Sequence, residues 1–303
     1  MRDILNRFYI LAIFLLIAPS LSTVTNAKAS LPAADFSDLK KTGTGKVIEV
    51  IDPLTVKLDQ DRTIHLTGLN YPDLDPYSPG SMSVTALDIL KDFLIGNHVE
   101  IFQTRNDKAG RLNRMGHIIA HLQRSDDKAW VQGTILRLGL ARVKTEKTNP
   151  ELVDQMYKLE DQAINESIGL WSKKDYKIQS AGNLEWAIGT FQVVQGRVHS
   201  VSMNQNRTFV NFGSDWRTDF TITIPPSQMR IFYSNETTPQ GWNGKMIRAR
   251  GWISALNGPS MEIYHPQAVQ LIDKSFNKEK YVEDRPVKKE KKLRKGSGLP
   301  SLN

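Results

Sequence analysis

The stretch IDPLTVKLDQDRTIHLTGLNYPD, Ile51 to Asp73, reads as two strands and the turn that follows them, and it closes on an acidic residue after a proline. A hairpin of this kind can hold a metal ion and a phosphate, which requires hard oxygen ligands with a cation beside them. In this stretch Leu54 stands at the first turn and His65 on the second strand. Asp52 precedes Pro53 at the hairpin turn, where aspartate commonly bonds the backbone, so turn service is its stronger reading. Further along, NFGSDWRTDFTI brings Asp215, Trp216, Arg217 and Asp219 close to Phe209, Phe212 and Phe220. Aromatics interleaved with base on a small barrel can stack nucleobases. Filling the core is their commoner use, and the same holds for Trp242 and Trp252. Arg248 and Arg250 have the period that puts both on one side of a strand, and with Arg217 they offer a basic face. Near the C-terminus, KKEKKLRK supplies Lys288, Lys289, Lys291, Lys292, Arg294 and Lys295. This run reads as a polyanion-binding arm with salt-sensitive, sequence-blind affinity, or equally as a solubilising disordered end.

These residues need elements to position them. Gly45–Ile51, Leu54–Leu58 and Thr63–Leu69 are rich in Val, Ile, Leu and Thr and are separated by turn residues, which predicts a meander. Ser83–Ile95 repeats Ala86, Leu87, Leu90, Phe93 and Leu94 at helical spacing. Strands at Val99–Gln103 and His117–Leu122 complete five. Helices are predicted at Ala129–Leu138 and Pro150–Ile168, the second with Asn149 as N-cap, Pro150 at the first helical position and Glu151 at the positive dipole end. Five strands with a helix between the third and fourth is the order of an OB-type barrel. A second β-rich set follows, Phe191–Val201, Thr208–Phe212, Phe220–Ile224, Lys245–Ile253 and Ser260–Tyr264, which predicts a second small barrel. The fold class is therefore β-rich α+β: a five-stranded OB barrel with three helices over residues 45–172, a linker over 173–188, a second small OB-like β-domain over 189–273, and a basic disordered tail over 274–303.

From about Gly45 to Trp171 the chain resembles the staphylococcal (thermo)nuclease family. VIEVIDPLTVKL, LTGLNYPD, NRMGHIIAHL, VQGTILRLGLARV and EDQAINESIGLWS run in that family's order. The resemblance implies a five-stranded OB barrel with three helices and calcium-dependent cleavage of nucleic acid. The later β-rich region resembles a small β-domain appended to some secreted bacterial members.

The resemblance also implies a site, and this chain departs from it. The family's D-G-D-T, whose second aspartate binds calcium, is here Asp52-Pro53-Leu54-Thr55, so Leu54 stands at the liganding position. The phosphate-binding arginine, seven residues before the proline of the next turn, is His65. In that turn the second calcium-binding aspartate corresponds to Asn70, and the glutamate credited with general-base work to Asp73. The arginine that ends D-R-Y-G-R corresponds to His117, the last residue of Asn113-Arg114-Met115-Gly116-His117. A rival register through DKAGR, Asp107 to Arg111, would keep an arginine as Arg111. The His117 register is favoured because it sets Ile118, Ala120 and Leu122 on the family's apolar pattern. If His65 and His117 flank one phosphate position, then with Asp73, and with His121 unless it faces solvent, they form a candidate cluster of two histidines and one carboxylate. Such a set, with Asn70 as a neutral oxygen, suits zinc, manganese or iron better than calcium. The alternative is that each is polar filler on a decayed site.

A chain of 303 residues with 40% apolar content can bury a full core. Its formal charge is +8 and its pI about 9.5, which favours nucleic acid or an anionic envelope polymer as partner. From Lys278 to Asn303 nine Lys and Arg face four Asp and Glu, so the folded part is only mildly basic. The absence of cysteine excludes disulfides, thiolate metal sites and cysteine nucleophiles. The leading expectation is an exported binding protein with a degenerate calcium site and no certain cofactor. The rivals are a divergent nuclease or phosphodiesterase using a transition metal, and a protein-interaction module of the envelope. Arg2 and Arg7, the apolar run Phe8–Ala18 and Ala27-Lys28-Ala29 fit a secretory signal over residues 1–29 followed by a periplasmic or extracellular protein, and no later segment is apolar enough to span a membrane. N-terminal sequencing of protein recovered from the envelope or medium is expected to start at or near Ser30, and a soluble species starting at Met1 would contradict it.

Overall fold

The computed structural model describes residues 31–75, 77–215, 218–233 and 238–272. The expected signal segment, Trp216, Arg217 and the basic run Lys288–Lys295 lie outside them. The described residues belong to one compact unit.

The first region contains β1 (Leu39–Asp52), β2 (Thr55–Leu58), β3 (Arg62–Leu66), β4 (Leu69–Asn70), α1 (Ser81–Leu94), β5 (His98–Thr104), β6 (Ile118–Arg124), α2 (Val131–Arg137), β7 (Arg142–Val143) and α3 (Val153–Glu166). Strands β1-β2-β3-β6-β5 close into a barrel, with β3 and β6 parallel and the other neighbours antiparallel. Period-two alternation does this: Val56, Leu58, Ile64, Leu66, Ala120 and Leu122 are all buried in one core. Ala86, Leu90 and Leu94 of α1 pack into the same core.

The expected OB barrel is present, and its edges differ from those read in the sequence. Strand β1 begins at Leu39, because the polar run Lys40–Thr44 is paired along β5. Polar side chains hide a strand whose pairing is made by backbone. The chain before it also belongs here: the Trp130 amide donates to the Pro32 carbonyl at 2.7 Å, and Phe36 stacks on Phe102 at 4.1 Å. Asn149 is not the cap of α3. Its side-chain amide nitrogen donates to the Gly110 carbonyl at 2.9 Å, and the helix starts at Val153 after a turn at Glu151 and Leu152.

The second region contains β8 (Gln179–Ser180), β9 (Phe191–Arg197), β10 (Ser200–Asn204), β11 (Arg207–Asn211), β12 (Thr221–Ile224), the short α4 (Met229–Tyr233), β13 (Met246–Ala255), β14 (Pro259–Glu262) and β15 (Val269–Leu271). Its strands run in the order β10-β11-β12-β14-β13-β9-β8, with β15 also on β13. The first part of β13 pairs with β9 and β15 and its last residues with β14, so one long strand joins both parts of the sheet. The expected linker is built into this sheet, since Gln179 and Ser180 pair with β9 and Ile178 is buried.

The two regions meet through charge. Val153, Met156, Tyr157, Glu160, Ala163 and Ile164 form the buried stripe of α3, and Glu160 is the one acid on it. One Glu160 oxygen accepts from the Val143 amide at 2.7 Å and the other from Arg250 at 2.8 Å. Arg250 also donates to the Val143 carbonyl at 3.1 Å and to Gln270 at 2.7 Å, and its guanidinium lies over the Tyr157 ring at 4.2 Å. Burial opposes its charge, yet Glu160, Tyr157 and Asp161 together hold it above the ordinary arginine value. Arg248 donates to Asp161 at 2.7 Å and to Gln195 at 3.1 Å. Arg142 crosses in the other direction, to the carbonyls of Phe191 at 2.7 Å and Tyr176 at 2.8 Å. The basic strand face expected from Arg248 and Arg250 is thus corrected: both do share a side, and that side is buried on α3.

Removing one partner of a buried pair strands the other charge, at about 3–5 kcal/mol. Glu160→Ala is therefore expected to lower urea-unfolding stability by about that amount. Glu160→Leu with Arg250→Met should cost much less than the sum of the two single changes, and strict additivity would show that the pair is not coupled.

Candidate functional site

The first hairpin positions the predicted residues. The Asp52 carboxylate accepts from the Leu54 amide at 2.7 Å, the turn service read from its place before Pro53. Leu54 is half-buried and packs against the barrel core. His65, on β3, pairs in register with Thr55 of β2 and Ile119 of β6. His117 directly precedes β6, and its charge bears on His65. Burial pushes His65 below the ordinary imidazole value, with Glu146 and Asp52 opposing and Lys144 and His117 adding to it. Five groups from four segments thus act on one another electrostatically: His65, His117, Asp52, Lys144 and Glu146. Lys144 and Glu146 pair at 3.0 Å. They lie beyond the quoted motifs, and only the fold brings them to the barrel mouth.

Asp73 goes elsewhere. Helix α1 opens at Gly80, which has no side chain to cap it, and no acid lies in its first turn. The Asp73 carboxylate does this work from seven residues upstream. It accepts from the Met82 amide at 2.9 Å, the Ser83 amide at 3.1 Å and the Ser83 hydroxyl at 2.5 Å. The two amides are orphan donors of a helix N-terminus. A Cβ at Gly80 would sit 2.3 Å from an Asp73 carboxylate oxygen, so only glycine admits this approach. The structure brings His65 and His117 together and does not bring Asp73 to them. Among the described residues no group of three or more His, Asp or Glu side chains could hold a metal ion.

The remaining candidates have definite places. The Asn70 side-chain oxygen and the neighbouring Tyr71 hydroxyl are buried without a hydrogen-bond partner among the described residues. His121, read as a further ligand or a solvent-facing residue, is buried. Trp130 donates its indole N–H to His121 Nδ1 at 3.3 Å, and burial takes the ring's pKa down to about 3, so it stays neutral. Arg111 donates to the carbonyls of Thr104 and Arg105 at 3.0 and 3.1 Å. It precedes the turn at Asn113–Gly116, after which β6 begins. In the second region Phe220 and Trp242 are core, as expected, whereas Trp252 is 57% exposed, which corrects its assignment.

The capping geometry makes a checkable statement about Asp73. Asp73→Ala is expected to lower the stability of the protein by about 0.5–2 kcal/mol, the range for a lost helix cap, with the same loss in calcium as in a chelator. A calcium-dependent loss on thermal melting would place the carboxylate on a metal instead.

The staphylococcal nuclease homologue family matches residues 63–173, from within β3 to just beyond α3. No curated protein matches the chain. With the closed five-stranded barrel and its three helices around that match, this chain contains a staphylococcal nuclease homologue domain.

Proposed function

We propose that this is an exported protein that binds nucleic acid through a nuclease-type barrel whose calcium and phosphate site is degenerate. The homologous domain supports a nuclease-family or nucleic-acid-binding role. The observation that carries the choice between them is the commitment of Asp73, the only carboxylate left in the family's second turn, to the N-terminus of α1.

Calcium requires several hard oxygen ligands, with charge among them. Leu54 offers no ligand atom and packs on the core. Asn70 offers one neutral oxygen, buried and unpartnered. Asp52 already accepts from the Leu54 amide. This donor set does not fit calcium. The phosphate side is equally changed, because an imidazole lacks the permanent charge and the bidentate fork of arginine. Burial holds His65 toward its neutral form. The loss of one preorganised donor often costs about a hundredfold in rate, and here several are altered together. What survives is a mildly basic fold, with the Lys288–Lys295 run available for phosphate contacts.

Purified protein is expected to leave single- and double-stranded DNA and RNA uncut in calcium and in a chelator, and to bind them with affinity that falls steeply with salt. Deleting Lys288–Lys295 should flatten that dependence by roughly 0.7 to 0.9 in log-log slope for each lost phosphate contact. Cleavage in calcium would overturn the reading. Cleavage in manganese or zinc, lost in His65→Ala and His117→Ala, would establish a divergent phosphodiesterase. The converse experiment rebuilds the site: Leu54→Asp with Asn70→Asp should make the melting temperature rise with calcium, by binding to the native state. A calcium-insensitive melting temperature would remove the register on which the site rests.

A further inference from the structure

A cavity of about 510 Å³ is lined by Lys144 and Thr145 and by residues of β13, β14 and the segment after β14. That volume is in the range of small-molecule sites. Two large aromatic side chains line it while remaining open to solvent, Trp252 at 57% exposed and Tyr264 at 50%. Both rings are held from behind. Trp252 meets Phe191 edge-on at 6.2 Å. The Tyr264 hydroxyl donates to Glu262 at 2.6 Å, and Glu262 is paired in turn with Arg207. Such contacts favour one orientation of each ring and reduce the ordering cost of binding.

Polar side chains also line the cavity, Glu262, Ser254 and Ser260 among them, and His265 differs from these in having no partner among the described residues. His265 is only 8% exposed, and both ring nitrogens are buried without a hydrogen bond there. A buried polar group left unpaired is costly, so it marks a place where a partner belongs. Burial takes its pKa down to about 4, with Glu146 opposing and Lys147 adding. The ring is therefore neutral near pH 7 and presents one N–H donor and one acceptor nitrogen. Cationic Lys144 lines the same cavity, and the charge of Lys147 is felt at His265.

From this combination we infer that the cavity is a nucleobase subsite for single-stranded nucleic acid, in which Trp252 and Tyr264 supply stacking faces, His265 meets the polar edge of the base, and Lys144 lies toward the phosphate. Each component answers one part of a nucleotide: a flat apolar face, a donor–acceptor edge and an anion. Double-stranded nucleic acid keeps its bases stacked inside and would not fill it. The inference deepens the proposed nucleic-acid binding and rests on it. Loop 144–147 joins the two places, because Glu146 acts on His65 at the barrel mouth and on His265 at the cavity.

The test uses the full chain, a short single-stranded DNA oligonucleotide, the matching duplex, a base-free polyphosphate and a neutral oligosaccharide. Trp252→Ala and Tyr264→Ala are expected to weaken single-strand binding about tenfold or more, while polyphosphate binding and the melting temperature stay as in the parent. Trp252→Phe keeps a ring and should restore most of the affinity. His265→Phe, which keeps volume and removes the hydrogen-bonding edge, should reduce discrimination among bases. Unchanged single-strand binding in Trp252→Ala would overturn the subsite and leave the polyanion reading standing. A parent protein that binds no nucleic acid would overturn both. Oligosaccharide binding that depends on Trp252, without a DNA effect, would assign the cavity to a saccharide and overturn the inference.

Discussion

The bond between Glu160 and Arg250 is the point on which the two β-regions depend. Both side chains are buried, and taking two charges out of water costs several kcal/mol per ion unless every polar atom is well served. Glu160 is served on both oxygens, by the Val143 amide from its own region and by Arg250 from the other. That division matters. A carboxylate whose partners came from one region would hold that region together and leave the other free to move. Here, separating the regions exposes a stripe of α3 and strands an acid, two arginines and the Arg142 contacts to Phe191 and Tyr176. The geometry selects one docking arrangement, because a slip of β13 by one residue would turn Arg248 and Arg250 away from α3.

The same rule of commitment explains the first hairpin. An ionised carboxylate offers about four lone-pair sites, and Asp73 places three of them on donors at the start of α1. Helix α1 has no cap of its own, and Asp73 reaches its second and third amides only because Gly80 lacks a Cβ. Asp52 is committed in like manner to the Leu54 amide. The acidic residues that the motif offers for chemistry are therefore the ones that the backbone uses to end a strand and begin a helix. Shortening the side chain at Asp73 by one methylene relative to glutamate suits the cap, since a short acid reaches adjacent amides with less conformational entropy to lose.

How much of this was legible follows the range of each signal. The barrel was legible because Val56, Leu58, Ile64, Leu66, Ala120 and Leu122 alternate locally. The start of β1 was not, since Lys40–Thr44 pair through backbone and carry no apolar pattern. The period that puts Arg248 and Arg250 on one side was visible, while the acids they face, Asp161 and Glu160, lie on α3. One sign was present: Glu160 falls on the apolar stripe of α3, and an acid on such a stripe calls for a cation. Trp242 and Trp252 show the limit most clearly. They are the same residue type in the same β-rich region, one buried and one exposed, and only the packing of distant segments separates them. His265, Lys144 and Glu146 carried no motif at all.

The anchor and the two polar neighbourhoods are connected through a few residues of backbone. Glu160 fixes the Val143 amide, and the Lys144 amide is fixed by the Gly68 carbonyl at 2.9 Å. The chain then runs directly into Thr145, Glu146 and Lys147. This loop therefore starts from a point that the docking of the second region holds in place, and its charges bear on His65 on one side and His265 on the other. A second β-domain tethered by a flexible linker could not give that loop a constant position with respect to both histidines. Docking through α3 does, and it makes the barrel mouth and the cavity at β13 parts of one electrostatic surface.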